Sequence, residues 1–132
     1  MMKINKLMGL TSYQVESLKK AGVTTIEKLL QDGGTPAGRR TLAKKTRISL
    51  KTIDRWVRQS DFYRIKGIAG LKTELLEASG IQNVKQLSRQ KPEDLHIHMS
   101  LVNEKKKLVK RVPGVVQIKR WVTTARKINP SI

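Results

Sequence analysis

The sequence predicts an all-α protein made of two tandem repeats packed as one compact helical domain. Three observations predict it. Leu7-Met8-Gly9-Leu10 returns as Ile65-Lys66-Gly67-Ile68, and the correspondence runs on at a constant spacing of 58 positions: Leu18 with Leu76, Gly22 with Gly80, Val23 with Ile81, Ile26 with Val84, Leu29 with Leu87. Ile53, Trp56 and Val57 return as Ile118, Trp121 and Val122, now 65 positions on. A period of about 60 residues makes each copy one supersecondary unit. Finally, no segment keeps the two-residue alternation that a strand needs, whereas turn signals cut the chain into helix-sized pieces. The first repeat covers 1–60 and the second 61–132, with a basic insertion near 103–113.

The elements follow in order. Thr24 with Glu27 three residues later reads as a capping box, so a helix starts at about Thr25. Thr35-Pro36 reads as an N-cap followed by a first-turn proline. Ser49 caps a helix from Leu50 to about Gln59. In it Ile53, Trp56, Val57 and Ser60 fall at i, i+3, i+4 and i+7, one face. Pro92 with Glu93 and Asp94 starts another helix, its acids favourable to the helix dipole. Pro113-Gly114 breaks the chain before a last helix of about Val115 to Ile128, where Ile118, Trp121, Val122 and Ala125 share a face. Both tryptophans are expected in the core, with the two halves packed through their helices in a pseudo-two-fold arrangement. The change of spacing from 58 to 65 implies a seven-residue insertion, placed within Asn103 to Pro113. That run has no clear apolar period, so it is a frayed helix end or a mobile basic loop.

Composition bounds the function. A chain of 132 residues can bury a core without staples. It has no cysteine, which excludes disulfides, thiolate metal sites and cysteine nucleophiles. Met1 to Thr11 carries Lys3 and Lys6 and lacks the apolar run of a signal peptide. Nothing is long and apolar enough to span a membrane. A cytoplasmic protein without membrane association is expected, nucleoid-associated if bacterial.

The chain holds 28 Lys and Arg against 10 Asp and Glu, for a net charge of +18 and a pI near 10.7. Self-repulsion on that scale destabilises the compact state, and a polyanionic partner is the usual compensation. DNA is the expected partner and RNA the alternative. Arg39 to Arg58 contains eight basic residues and one acid, Asp54; Lys105 to the end contains nine and none. Helical spacing puts Lys51, Arg55 and Arg58 on one face, Lys119, Thr123 and Arg126 on another, and Arg40, Lys44 and Arg47 on a third. Lys105, Lys106 and Lys107 belong to the insertion.

The segment Ile65-Lys66-Gly67-Ile68-Ala69-Gly70, followed by Leu75, Leu76 and Ala78-Ser79-Gly80-Ile81, resembles the helix-hairpin-helix motif of DNA repair and recombination proteins. Glycines permit positive φ and leave no Cβ between backbone and phosphate. Amides at the next helix N-terminus then face a phosphate oxygen. The resemblance implies phosphate contacts at Gly67, Ala69 and Gly70, surrounded by Arg64, Lys66 and Lys72. In the first copy they fall at Gly9, Thr11 and Ser12, with Lys3 and Lys6 nearby. Ala69 and Thr11 stand where the motif favours glycine, and the second hairpin is the better phosphate site. The whole chain resembles the duplicated helix-hairpin-helix family of bacterial proteins catalogued as the domain of unknown function numbered four-three-three-two. Carrying that likeness are Ala21-Gly22-Val23-Thr24-Thr25 with Leu29-Leu30, Thr35-Pro36-Ala37-Gly38-Arg39 with Leu42-Ala43, Trp56-Val57 with Asp61, Arg64 to Ile68, Pro113, and Trp121-Val122 with Ala125.

No catalytic constellation is visible. His96 and His98 point about 200° apart on a helix, which disfavours a shared metal, and the carboxylates are scattered. No metal, cofactor or enzymatic activity is expected. The reading is a DNA-binding protein without sequence preference, since no helix carries a base-reading set of Arg, Asn and Gln. Its alternative is a protein-interaction adaptor using the same basic surface on an acidic partner, or on RNA or the ribosome. Oligomeric state is not legible.

Overall fold

In the computed structural model, residues 2–7 and 9–128 are described; Met8, part of the first hairpin echo, lies outside them. The described residues are all-helical. Ile4–Lys6 forms a short 3-10 turn; then come α1 (Ser12–Lys20), α2 (Ile26–Gly33), α3 (Pro36–Thr46), α4 (Leu50–Phe62), α5 (Leu71–Ala78), α6 (Val84–Ser88), α7 (Pro92–Lys106) and α8 (Val115–Lys127). An isolated antiparallel bridge between Lys3 and Thr25 is the sole β feature among them. The chain divides into two compact units, Met1–Asp61 and Phe62–Pro130.

The repeat is written into the hydrogen bonds. After α1, Gly22 N donates to Lys19 O and Val23 N to Leu18 O. After α5, Gly80 N donates to Glu77 O and Ile81 N to Leu76 O. Both glycines have φ of +87°, the left-handed C-terminal stop that closes a helix with a 6→1 bond. The next helices also start alike. Thr25 accepts Lys28 N at α2, and Asn83 accepts Gln86 N at α6.

The first helix start differs from expectation by one residue. Thr25, not Thr24, is the N-cap of α2. Glu27 closes no capping box; its carboxylate accepts Met2 N at 2.9 and 3.2 Å, tying down the segment that Ile4 N → Thr24 O and Ile26 N → Met2 O bind as well. Thr35 accepts Gly38 N ahead of Pro36, and Ser49 accepts Thr52 N ahead of α4. α4 runs three residues past the expected Gln59, to Phe62.

The seven-residue difference between the repeats is distributed. α7 is four residues longer than α3, and the link after it is five longer; two residues fewer separate the start of α6 from Pro92 than the start of α2 from Pro36. The basic insertion is thus partly a helical turn holding Lys105 and Lys106. The link is anchored on both sides. Asn103 Nδ2 donates to Val109 O and Val109 N to Asn103 Oδ1, while His96 Nδ1 lies 2.9 Å from Pro113 O. Leu108, Val109 and Val112 pack against the core.

Each unit has an apolar interior. In the first, Leu18, Ile26, Leu29, Leu42, Ile53, Trp56 and Val57 are buried. In the second, Ile65, Ile68, Leu75, Leu76, Leu87, Leu95, Met99, Ile118, Trp121 and Val122 form one cluster. Each such side chain contributes roughly 1.5–3 kcal/mol relative to exposure. Arg39 belongs to the scaffold of the first unit. Its Nε lies 2.9 Å from Asp54 Oδ1, and Nη1 donates to Gly33 O.

Candidate nucleic-acid interface

The second hairpin is built by two successive tight turns. Ile65 N donates to Phe62 O and Ile68 N to Ile65 O, burying both isoleucines and leaving Lys66 and Gly67 outside. Gly67 has φ of +94°. A Cβ there would lie 3.0 Å from Trp121 Nε1 and 3.4 Å from Gln117 Nε2, so the turn backbone rests directly on α8. Gly70 caps α5 with φ +55° and ψ −129°, and it offers no capping side chain. Its own N–H donates to the Tyr63 hydroxyl at 2.9 Å, and its carbonyl accepts Thr73 Oγ1 and Thr73 N. The amides of Ala69 and Leu71 have no acceptor among the described residues. Lys72 Nζ reaches back to Gly67 O at 3.3 Å. Burial pushes the Tyr63 phenol upward from its ordinary value; the Gly70 hydrogen bond opposes this and Glu74 reinforces it.

The first hairpin shares the positive-φ glycine, but its helix starts one residue earlier in the repeat, at Ser12 against Leu71, and its chemistry differs. Gly9 has φ of +80°, yet a Cβ on it would touch nothing. Thr11 and Gln14 close a full capping box at α1: Gln14 N donates to Thr11 Oγ1 at 3.1 Å, and Thr11 N to Gln14 Oε1 at 2.9 Å. Two amides at this helix start, those of Thr11 and Gln14, are thus spent on side chains, while those of Ser12 and Tyr13 have no acceptor among the described residues. Thr11 and Ser12 are exposed.

The cationic faces fare unequally. Arg40 and Lys44 are exposed on α3, but Arg47 is not on that face. The helix ends at Thr46 and Arg47 is its cap at φ +60°. Lys51 is exposed on α4, with Arg55 and Arg58 half-buried. In the second unit Arg64, Lys66 and Lys119 are exposed. Arg126 turns aside, its Nε donating to Ser88 O at 3.0 Å. Lys105 and Lys106 occupy the last turn of α7, and Lys107 caps it at φ +50°.

What the second unit does bring together is a groove of about 680 Å³ between the Gly67 turn and α8. Lys66 and Gly67 form one wall; Val116, Gln117, Lys119, Arg120, Trp121, Thr123 and Thr124 form the other. Gln117, Arg120 and Thr124 were not singled out by the sequence. Their helical spacing along one side of α8 is readable, but only tertiary packing reveals that this side meets Gly67. A smaller groove of about 180 Å³ in the first unit, lined by Lys3, Asn5, Val15 and Lys19 among others, includes none of Gly9, Thr11 or Ser12.

Among the described residues, no group of three or more His, Cys, Asp or Glu side chains is placed to hold a metal ion, and no helix is long and apolar enough to cross a membrane. No curated protein and no solved structure matches the chain. Residues 8–128, nearly the full length, match the family described as Domain of unknown function (DUF4332). By that match, together with the duplicated helical pattern, the chain belongs to the DUF4332 family.

Proposed function

We propose that this protein binds duplex DNA through the phosphate backbone, without reading base sequence, and does so chiefly with the helix-hairpin-helix turn at Gly67. The observation that carries this reading is the uncapped start of α5. Free amides at Ala69 and Leu71 lie in a turn flanked by exposed Arg64 and Lys66, on a chain of net charge +18. Amides at a helix start favour an oxyanion, and Lys or Arg beside them add a sequence-independent attraction. The exposed lysines of α7 in the same unit, and separately those of α3 and α4 in the first unit, add attraction for phosphate. A protein with roughly six to ten phosphate contacts loses about 10³–10⁵ in affinity between about 50 and 200 mM salt.

A duplex titration across salt concentrations tests the reading, with probes of unrelated sequence. Steep, sequence-independent salt dependence supports it; no retardation of any duplex in dilute buffer refutes it. One observation favours a second reading, an acidic protein partner: the Thr11–Gln14 capping box and the Tyr63–Gly70 bond use hairpin amides internally. Under that reading the same titration shows no DNA binding, while an acidic polypeptide is retained.

A further inference from the structure

We propose that the groove between the Gly67 turn and α8 receives a single phosphorylated nucleoside unit. Three features of the groove converge on that chemistry.

The first is charge. Lys66, Lys119 and Arg120 line it and no carboxylate does. None of the three makes a side-chain hydrogen bond or ion pair with another described residue. Three unneutralised cations around one concavity repel one another, and an anion relieves that repulsion.

The second is size. A groove of about 680 Å³ falls within the roughly 300–1,000 Å³ of small-molecule sites. A lone phosphate fills a small part of it.

The third is the mixed character of the remaining wall. Val116, 67% exposed, offers apolar surface. Gly67 presents backbone with no side chain above it. The Gln117 carboxamide, which both donates and accepts, has no partner among the described residues. Trp121 Nε1 is buried behind this wall, also without an acceptor. Cations for a phosphate, an apolar face for a base and an amide for its edge describe a nucleotide.

The unit comes either as a free mononucleotide or as the phosphorylated end of a strand. The second source rests on the DNA-binding reading; the first does not. Calorimetric titration of the full chain in low salt therefore uses thymidine 5′-monophosphate, thymidine and inorganic phosphate as separate probes. A parallel competition compares linear duplexes with 5′-phosphate ends, the same duplexes with 5′-hydroxyl ends, and a closed circle.

Two variants accompany them, Arg120→Gln and Gln117→Ala. Arg120 is exposed, so its loss leaves the core intact, which circular dichroism checks. The expected result is that the monophosphate outbinds both thymidine and phosphate. Arg120→Gln then weakens it about tenfold or more, as for a charge-assisted hydrogen bond, and Gln117→Ala weakens it less. An Arg120-dependent preference for phosphorylated ends assigns the strand terminus, with or without monophosphate binding. Monophosphate binding without any end preference assigns the free nucleotide. The inference is overturned if neither the monophosphate nor the phosphorylated end is preferred, or if both variants bind like the parent. Duplex binding that ignores ends and both variants leaves the DNA reading standing and removes this one.

Discussion

The turns at Gly9 and Gly67 share a glycine at positive φ and have different surroundings. Both glycines lie at positive φ, 58 positions apart. Gly9 faces open space and is followed by a helix whose start is closed by Thr11 and Gln14. Gly67 is pressed against Trp121 and is followed by a helix that no side chain caps. The two copies thus share the positive-φ glycine, and their side chains and helix starts set them apart. The first helix start carries a side-chain cap, whereas the second turn rests on Trp121 and its helix start carries none. A rigid turn with free amides is preorganised for an anion.

The largest expected effect tests the support under Gly67. Replacing Gly67 with Val adds left-handed strain of roughly 1–2 kcal/mol and overpacking against Trp121 of about 1–3 kcal/mol. Gly9→Val adds the strain alone. Chemical denaturation should show the Gly67 variant the less stable by the difference, and equal losses would erase the contrast.

Next in size is Tyr63→Phe. It strips the acceptor from Gly70 N, at a cost of about 1–3 kcal/mol for an unsatisfied, part-buried amide. It also has a pH signature. The phenol's folded pKa is raised above its unfolded value near 10. Its contribution is therefore complete below about pH 10 and is lost as pH rises through the folded value. Denaturation from pH 8 to 11 should show the parent losing more stability than Tyr63→Phe, and identical slopes would exclude Tyr63 as the cause.

Thr11→Ala removes the capping box of the first hairpin. Stability should fall by about 0.5–2 kcal/mol with duplex affinity unchanged, which denaturation and a gel-shift measure side by side. A loss of affinity would restore the first hairpin as a contact.

The smallest effect concerns two helix ends that match across the repeats. Arg47 and Lys107 both cap their helices at positive φ, +60° and +50°. Lys107→Gly and Arg47→Gly should each raise stability by roughly 0.5–1 kcal/mol in thermal melts.

Much of this was legible in the sequence. Helix starts at Pro36, Leu50, Pro92 and Val115 follow from capping residues and prolines, which act locally and are therefore readable. At Thr24 and Thr25 that logic is ambiguous because both can cap: Thr25 does, and Glu27 accepts Met2 N, a bond spanning 25 positions that local spacing does not reveal. Arg47 looked like a helix-face residue because spacing says nothing of where a helix stops. Arg126 looked free because Ser88, its acceptor, is 38 positions away. The groove was invisible for the same reason. Arg120 and Gln117 acquire meaning only when α8 lies beneath Gly67.

The central claim is that the turn at Gly67, and not its copy at Gly9, holds the phosphate backbone. Parallel salt titrations of one duplex with Lys66→Ala and Lys3→Ala test it most directly. Lys66→Ala should weaken binding several-fold and reduce the salt slope by about one, while Lys3→Ala tracks the parent. Equal losses from both variants, or a loss from Lys3→Ala alone, would contradict it.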